Sequence, residues 1–462
     1  MGYHRSTDTI AAIATPPGTG GIGIIRISGG TAAAILKQIF TPKYPTAQFE
    51  SHKLYYGTIA DSAGKVLDEV LAVFMRSPAT YTVEDVVELH CHGSYVLLQK
   101  VLATVFALGA RPAEPGEFTK RAFLGGRIDL TQAEAVIELL QAQTDKGIDL
   151  AVNQLQGHLT DELEPVRKEL IAILALLEVA IDFPDDDVEL LDKKAIETQL
   201  KSNILKPIEA LIRSVSSGKI IREGISVVIA GRPNVGKSSL LNTLLREERA
   251  LVTPLPGTTR DTIEESIVID GIPVHLVDTA GIRAHKDVVE ELGMERARRK
   301  MDAADLVLFL LDASQPLTKR DLELYATIKE KQHIVVFNKT DRGNEQELFV
   351  LHEKFEQETR VEISAKENVG IDTLRETIFK IVLGDDQAAE VGLCVPNVRH
   401  LAALKKTADA CHRLLAAICD GAPCDLLAVD AQDGLDYLGD IVGLTTPEDV
   451  LDAIFNEFCI GK

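Results

Sequence analysis

The residues best equipped for chemistry lie at 231–238, Gly-Arg-Pro-Asn-Val-Gly-Lys-Ser, the pattern G-x-x-x-x-G-K-[ST]. The apolar run Ile225 to Ala230 leads in and reads as a buried strand. Ser239 to Leu245 leads out as a short helix. Between a strand and a helix this pattern is a phosphate cradle. Its backbone N–H groups point inward, and the helix N-terminus adds partial positive charge. Lys237 is expected to reach the β- and γ-phosphates and Ser238 to ligate Mg²⁺. Asn234, Val235, Gly236 and Ser239 complete the expected contacts of the loop.

Four more elements follow in the order that a GTPase requires. Gly257-Thr258-Thr259-Arg260-Asp261 is a candidate mobile loop, from which Thr259 could reach Mg²⁺. Asp278-Thr279-Ala280-Gly281 ends a strand. Its Asp278 would hold Mg²⁺ through water, and the Gly281 N–H would sense the γ-phosphate. Asn338-Lys339-Thr340-Asp341 also ends a strand. The Asp341 carboxylate can accept two N–H bonds from guanine, and adenine offers no such pair, so this element selects GTP. Ser364-Ala365-Lys366 would present backbone N–H groups to the guanine oxygen. One departure stands out. Ile282 occupies the place where Ras-like proteins carry a water-positioning Gln. Some other group must orient water, and Arg260 and Arg283 are candidate cations.

The elements that position these residues can be read along the chain. Its 462 residues suffice for roughly three domains. Hydrophobic residues make up 45%, with no Trp, so the cores are aliphatic. No apolar stretch approaches the ~18 residues of a membrane span, and residues 1–8 show no signal-peptide core. A soluble, cytoplasmic chain is expected. Six scattered cysteines with no C-x-x-C pair read as free thiols rather than a zinc site. The net charge of −21 argues against indiscriminate nucleic-acid binding by the whole surface.

Residues 1–120 read as an α/β or α+β unit, with strands at Ile22 to Ile27 and Leu71 to Met75 and a helix at Tyr95 to Leu108. Gly18 to Gly23 matches G-x-G-x-x-G but is followed by a β-branched run, so a glycine-rich turn is expected there and not a dinucleotide site. Adjacent residues of an extended segment alternate faces, so His90-Cys91-His92 cannot readily hold one metal ion. Residues 121–219 are expected to be helical, with a helix over Gln132 to Gln143. A long amphipathic helix follows, carrying its stripe from Leu155 to Leu177. Asp182 to Asp187 reads as a solvated, helix-breaking acidic loop, and the small polar run Ser214 to Lys219 as a linker. Residues 220–383 alternate strands and helices, with a hairpin at Asp270-Gly271, and predict a doubly wound sheet with one added antiparallel strand. Residues 384–462 are helical again, the last helix starting with Thr446 as cap and Pro447 in its first position. The α/β domain is thus expected as an insertion in one helical bundle.

Taken together, the chain resembles the tRNA-modification GTPase MnmE (TrmE) family. The likeness rests on the phosphate loop with Asn234, Gly257–Asp261, Asp278–Gly281 and the tail Cys459-Ile460-Gly461-Lys462. Ala14-Thr15-Pro16-Pro17-Gly18, Arg26-Ile27-Ser28, Pro115-Gly116-Glu117-Phe118, Arg121-Ala122-Phe123-Leu124 and Ile181-Asp182-Phe183-Pro184 extend it along the chain. The resemblance implies an N-terminal α/β folate-binding and dimerisation domain and a helical-bundle domain with an inserted Ras-like GTPase domain. It implies a homodimer whose GTP hydrolysis is stimulated by K⁺. Asn234 and Thr258, with the backbone oxygens of Thr253 and Leu255, match the family's potassium site. Glu290 matches its water-orienting acid and would answer the Ile282 departure. Pro254 and Pro256 stiffen the loop around Leu255. Arg26, Glu88, Arg127 and Lys462 match the positions that bind 5-formyl-tetrahydrofolate, and Cys459 is linked in the family to the modification chemistry. The resemblance further implies a flavin-containing partner of the MnmG (GidA) type and tRNA modified at carbon 5 of the wobble uridine. A GTP-controlled assembly or ribosome-associated switch of the Era type is the alternative.

Overall fold

A computed structural model describes residues 8–46, 48–182, 192–247, 264–278, 301–383 and 394–462. Its chain divides into two compact units. One comprises residues 1–137, 154–208 and 402–462, the other residues 138–153 and 209–401.

The first unit opens with strands β1 (Ile10–Ile13) and β2 (Gly20–Ser28), helix α1 (Ala32–Ile39), and strands β3 (Phe40–Pro42), β4 (Lys53–Ala60), β5 (Val66–Met75) and β6 (Val86–Gly93). Helix α2 (Tyr95–Ala107), strand β7 (Arg111–Pro112) and helix α3 (Glu117–Leu124) follow. The seven strands form one sheet in the order β3-β4-β5-β6-β2-β1-β7. All pairings are antiparallel except β1 with β7. Alternation along the strands buries Ile25, Ile27, Val87, Leu89 and Cys91 in one core with Ile35, Leu36, Leu98 and Val101 of α1 and α2. Arg26, Glu88, His90 and His92 therefore face the other way. Cys91 is separated from both histidines, as its place on an extended strand requires. The glycine run at 18–23 enters β2 and no helix, in keeping with the rejected dinucleotide reading.

Helices α4 (Leu130–Gln141), α5 (Asp145–Leu155), α6 (His158–Asp182), α7 (Lys193–Gln199) and α8 (Lys206–Glu223) come next, a π-helical turn, Leu200–Leu205, joining the last two. The long amphipathic stripe is shorter than expected. Gly157, at φ +93°, ends α5 and starts α6 afresh, so Leu155 belongs to the preceding helix. The expected linker at Ser214 to Lys219 is helical, inside α8. Its small residues serve close packing: a Cβ on Gly218 would lie 2.6 Å from Val395 Cβ. Ser214 and Ser216 return their hydroxyls to the carbonyls of Leu211 and Arg213. The acidic run 183–187 lies outside the described residues.

The second unit holds the alternating elements: β8 (Ile225–Ala230), α9 (Lys237–Glu247), β9 (Glu264–Ile269), β10 (Ile272–Asp278), β11 (Leu306–Asp312), α10 (Lys319–Ile328), β12 (His333–Asn338), α11 (Glu345–Lys354), β13 (Arg360–Glu362) and α12 (Ile371–Leu383). The sheet order is β13-β12-β11-β8-β10-β9, and only β9 is antiparallel. All seven residues of β11 are buried, which is why that strand reads as an unbroken apolar run. Asp270 and Gly271, at φ +48° and +81°, make the hairpin turn.

The chain ends in α13 (Val398–Cys419), α14 (Cys424–Val442) and α15 (Glu448–Asn456). In the first unit α6 packs along α14, uniting helices from both flanks of the inserted sheet. The last helix begins one residue later than expected. Pro447 is its N-cap, and Thr446 donates its hydroxyl to Asp440 O instead of capping. Gly218→Ala should destabilise the second unit by about 1–3 kcal/mol, read as a lower thermal midpoint, because Val395 has only short branches to move aside.

Candidate functional site

The phosphate loop leaves β8 through Gly231 and enters α9 at Lys237. Two close approaches dictate its glycines. At Gly231 (φ +152°) a Cβ would meet Leu310 O at 2.6 Å. At Gly236 (φ +102°) it would collide with Asn338 Nδ2. Asn234 holds the left-handed conformation at φ +66°. Lys237 Nζ donates to the carbonyls of Gly231 (2.8 Å) and Arg232 (2.7 Å), within its own loop. Val235 is buried in the sheet core, so its side chain anchors the loop and leaves only its backbone for the expected contact.

Strand β12 delivers the second element to the same place. Asn338 is buried at 1% exposure. Its amide donates to Val235 O at 2.8 Å, and its side-chain oxygen accepts from Ala365 N at 3.1 Å. One side chain thus ties the phosphate loop to the Ser364-Ala365-Lys366 loop. The Ala365 N–H is committed to Asn338, which narrows the expected offer to the guanine oxygen. Lys339, at φ +66°, donates to Asn234 O (2.7 Å) and Asp312 Oδ2 (2.6 Å). Ser364 Oγ donates to Asp341 Oδ1 at 2.7 Å and so orients that carboxylate. A cavity of about 530 Å³ opens here, lined by Gly236, Ser239, Asn338, Lys339, Asp341, Ala365 and Lys366. Ser238 stands beside it in the first turn of α9.

Several residues of this site carried no motif. Asn242, Thr243 and Arg246 of α9, with Arg342 and Asn368, line the cavity. Asp312 ends β11 directly opposite Asn338. Burial alone would raise its carboxyl, but bonds from Lys339 and Ser314 outweigh burial and hold it below the usual range. An acid closing an apolar strand was the available signal. Thr253, Leu255, Thr258, Thr259, Thr279, Ala280, Gly281, Ile282 and Glu290 lie outside the described residues, as do Arg260 and Arg283. Asp278 ends β10 in register with Ile229.

A second constellation lies in the first unit. Arg26 Nε donates to Glu88 Oε1 at 2.8 Å, and its Nη1 to Gly461 O at 3.3 Å. The tail is stitched down beside it: Ile460 bridges Pro115, and Phe118 N donates to Lys462 O at 3.1 Å. Arg26, Glu88 and Lys462 therefore share one neighbourhood. Arg127 stands over the Tyr81 ring, 5.0 Å from its centroid, beside a hollow of about 640 Å³. Tyr81 packs on the cluster that contains Phe118, and Arg26 covers Phe118 at 5.6 Å. Cys459 is exposed. Among the described residues no group of acids, histidines and cysteines could hold a metal ion.

Buried charges hold this corner. Arg121 pairs with Glu117 (2.7 Å), Glu84 (3.0 Å) and Asp8 (2.9 Å), and Arg111 grips Glu117 and Asp8. Burial pushes the Glu117 carboxyl up, but Arg111, the Glu114 N–H and Arg121 bring it below its ordinary value. Such a carboxylate stabilises the fold above its unfolded pKa and loses that contribution as pH falls through the lowered folded value. Thermal midpoints should therefore drop on acidification below the usual carboxylate range. Glu117→Gln should flatten that acid limb and lower stability at neutral pH by about 3 kcal/mol, because Arg121 stays buried. Asp341→Asn should weaken GTP about 100-fold, measured by nucleotide titration, since an amide cannot accept both guanine N–H groups.

Comparison with known proteins places the chain in one family. The family model described as "MnmE helical domain" matches residues 130–459, and that described as "GTP-binding protein TrmE N-terminus" matches residues 9–127. A tRNA modification GTPase MnmE from Desulfotalea psychrophila is 51% identical, with 99% of each chain covered. Relatives of the same description from Natranaerobius thermophilus and Geobacter metallireducens are 46% and 45% identical, each over 98% of this chain and 99% of its own. A solved structure of Era in complex with MgGDPNP and nucleotides of 16S ribosomal RNA is 33% identical. It covers 40% of this chain and 66% of its own, with a TM-score of 0.29.

Proposed function

The chain belongs to the tRNA-modification GTPase MnmE family, and from that premise we propose a potassium-stimulated GTPase whose hydrolysis serves carbon-5 modification of the wobble uridine in certain tRNAs. The one observation that carries the reading is the tied pair of loops. Asn338 joins the phosphate cradle to the guanine pocket, so one cavity reads base and phosphates together. Ser238 would hold Mg²⁺ with Thr259. Asn234 suits K⁺: Lys339 takes its backbone carbonyl, so the side-chain oxygen is the donor that a hard cation would use. Thr253, Leu255 and Thr258 would complete that ligand set. Bound there, K⁺ supplies positive charge to the developing phosphate charge, where other GTPases use an arginine. Glu290 would orient the attacking water in place of the Gln that Ile282 replaces.

For the first unit we propose 5-formyl-tetrahydrofolate as the one-carbon source. Arg26, Arg127 and Lys462 suit the glutamate tail, and Glu88 the pterin N–H groups. The Arg26–Glu88 pair would have to open to admit it. The domain division that fits this reading is 1–120 for folate binding and dimerisation, 121–219 and 384–462 for the helical domain, and 220–383 for the GTPase. The protein would act in the cytoplasm as a homodimer with a flavoprotein of the MnmG type, Cys459 taking part in the modification. Among the described residues no helix is long and apolar enough to cross a membrane.

GTP hydrolysis should run at least about tenfold faster in K⁺ than in Na⁺. Asn234→Ala should remove that difference while nucleotide binding persists. Equal rates in both salts for the unaltered protein would end the potassium reading. Mass analysis of tRNA nucleosides from a deletion strain should show loss of the carbon-5 group, and normal uridines would leave the Era-type switch instead.

A further inference from the structure

Arg232 occupies one of the unspecified positions of the phosphate loop, yet its side chain is tied down far from the loop in sequence. Its Nε donates to Asp321 Oδ1 at 2.6 Å. Asp321 is buried, its side chain only 1% exposed, in the first turn of α10. Its other oxygen is already engaged: Oδ2 accepts from Thr318 N (2.9 Å) and Thr318 Oγ1 (2.7 Å), and Thr318 Oγ1 accepts from Asp321 N in return. This capping box fixes the carboxylate rigidly. Arg232 is thereby anchored to a helix start that cannot turn. The backbone carbonyl of the same Arg232, with that of Gly231, receives Lys237 Nζ.

We propose that Arg232 is a positioning residue for the phosphate-binding lysine, acting through Asp321. The tie holds the Gly231–Arg232 carbonyls in place, and they park the Lys237 ammonium at the mouth of the cradle before nucleotide arrives. The loop is pre-formed, so binding has less conformational freedom to remove. Once GTP is bound, the phosphates themselves order the loop, so the tie matters for capture and not for the chemical step. This rests on reading 231–238 as the phosphate loop.

The test compares Arg232→Ala, Arg232→Lys, Asp321→Asn and Thr318→Ala in the full chain. Stopped-flow association of a fluorescent GDP and steady-state GTP hydrolysis are the readouts. Arg232→Ala and Asp321→Asn should each slow association and raise KM about tenfold, with kcat at saturating GTP within about twofold. Their double variant should be no worse than either single one, and Arg232→Lys should recover part of the loss. Thr318→Ala should lower the thermal midpoint through the lost cap and slow association less than Asp321→Asn does, because Thr318 N still holds Asp321 Oδ2. The proposal fails if Asp321→Asn binds normally, because Arg232 would then act on the phosphates directly. It fails equally if Thr318→Ala reproduces the association defect of Asp321→Asn in full, or if Arg232→Ala changes only the thermal midpoint. Lys237→Ala separates the premise: nucleotide binding that survives it sinks the phosphate-loop reading together with the proposal, whereas its loss with normal Arg232→Ala kinetics sinks the proposal alone.

Discussion

The buried amide of Asn338 is the constraint on which the nucleotide site depends. A side-chain amide out of water must satisfy both its ends. Here one end takes Val235 O in the phosphate loop, and the other takes Ala365 N in the 364–366 loop. Neither loop can shift without leaving a buried polar group unpaired, which typically costs about 1–3 kcal/mol. The glycine at 236 exists because that amide passes so close to the backbone. The 231–238 loop and the 364–366 loop are mechanically one feature, tied by a single residue at the end of β12.

Around it a second layer converts charge into position. Asp312 faces Asn338 across the sheet and draws Lys339 back toward Asn234. Asp321 does the same for Arg232 from the helix after β11. Both acids are buried, both carry local hydrogen bonds that fix their geometry, and both reach the phosphate loop through a cation. The loop's shape is thus imposed from two directions by groups outside it. The N-terminal corner repeats the logic with Arg121, Arg111 and their carboxylates, where the array gathers Asp8, Glu84 and α3.

Local patterns were legible in the sequence. The strand, glycine loop and helix around Lys237, the hairpin at Asp270-Gly271 and the added antiparallel strand all follow from spacing over a few residues. So does the separation of His90 and His92 from Cys91, because alternation along a strand is a fixed property of the backbone. Three readings failed where packing overrode composition. Ser214 to Lys219 looked like a linker because small polar residues usually are, but here they let Val395 approach α8. Leu155 kept the helical spacing, yet Gly157 turned the chain before α6. Thr446 had the chemistry of a cap and used it on Asp440 O. Asp321 and, in α9, Asn242, Thr243 and Arg246, which line the cavity, were invisible for another reason. Their partners lie on distant segments, and nothing in the spacing of one segment announces the other.

The tail contact has a consequence for how the chain comes into being. Arg26 and Gly461 meet across 435 positions of sequence, with an entire α/β unit in between. During vectorial synthesis the first sheet emerges early, but Arg26 must wait for its partner, as must the Phe118 N–H that Lys462 O accepts. The intervening α/β unit has its own core and can fold in that interval, which shortens the span that remains to be closed. The neighbourhood of Arg26 and Glu88 therefore cannot be complete until the last residues of the chain are in place.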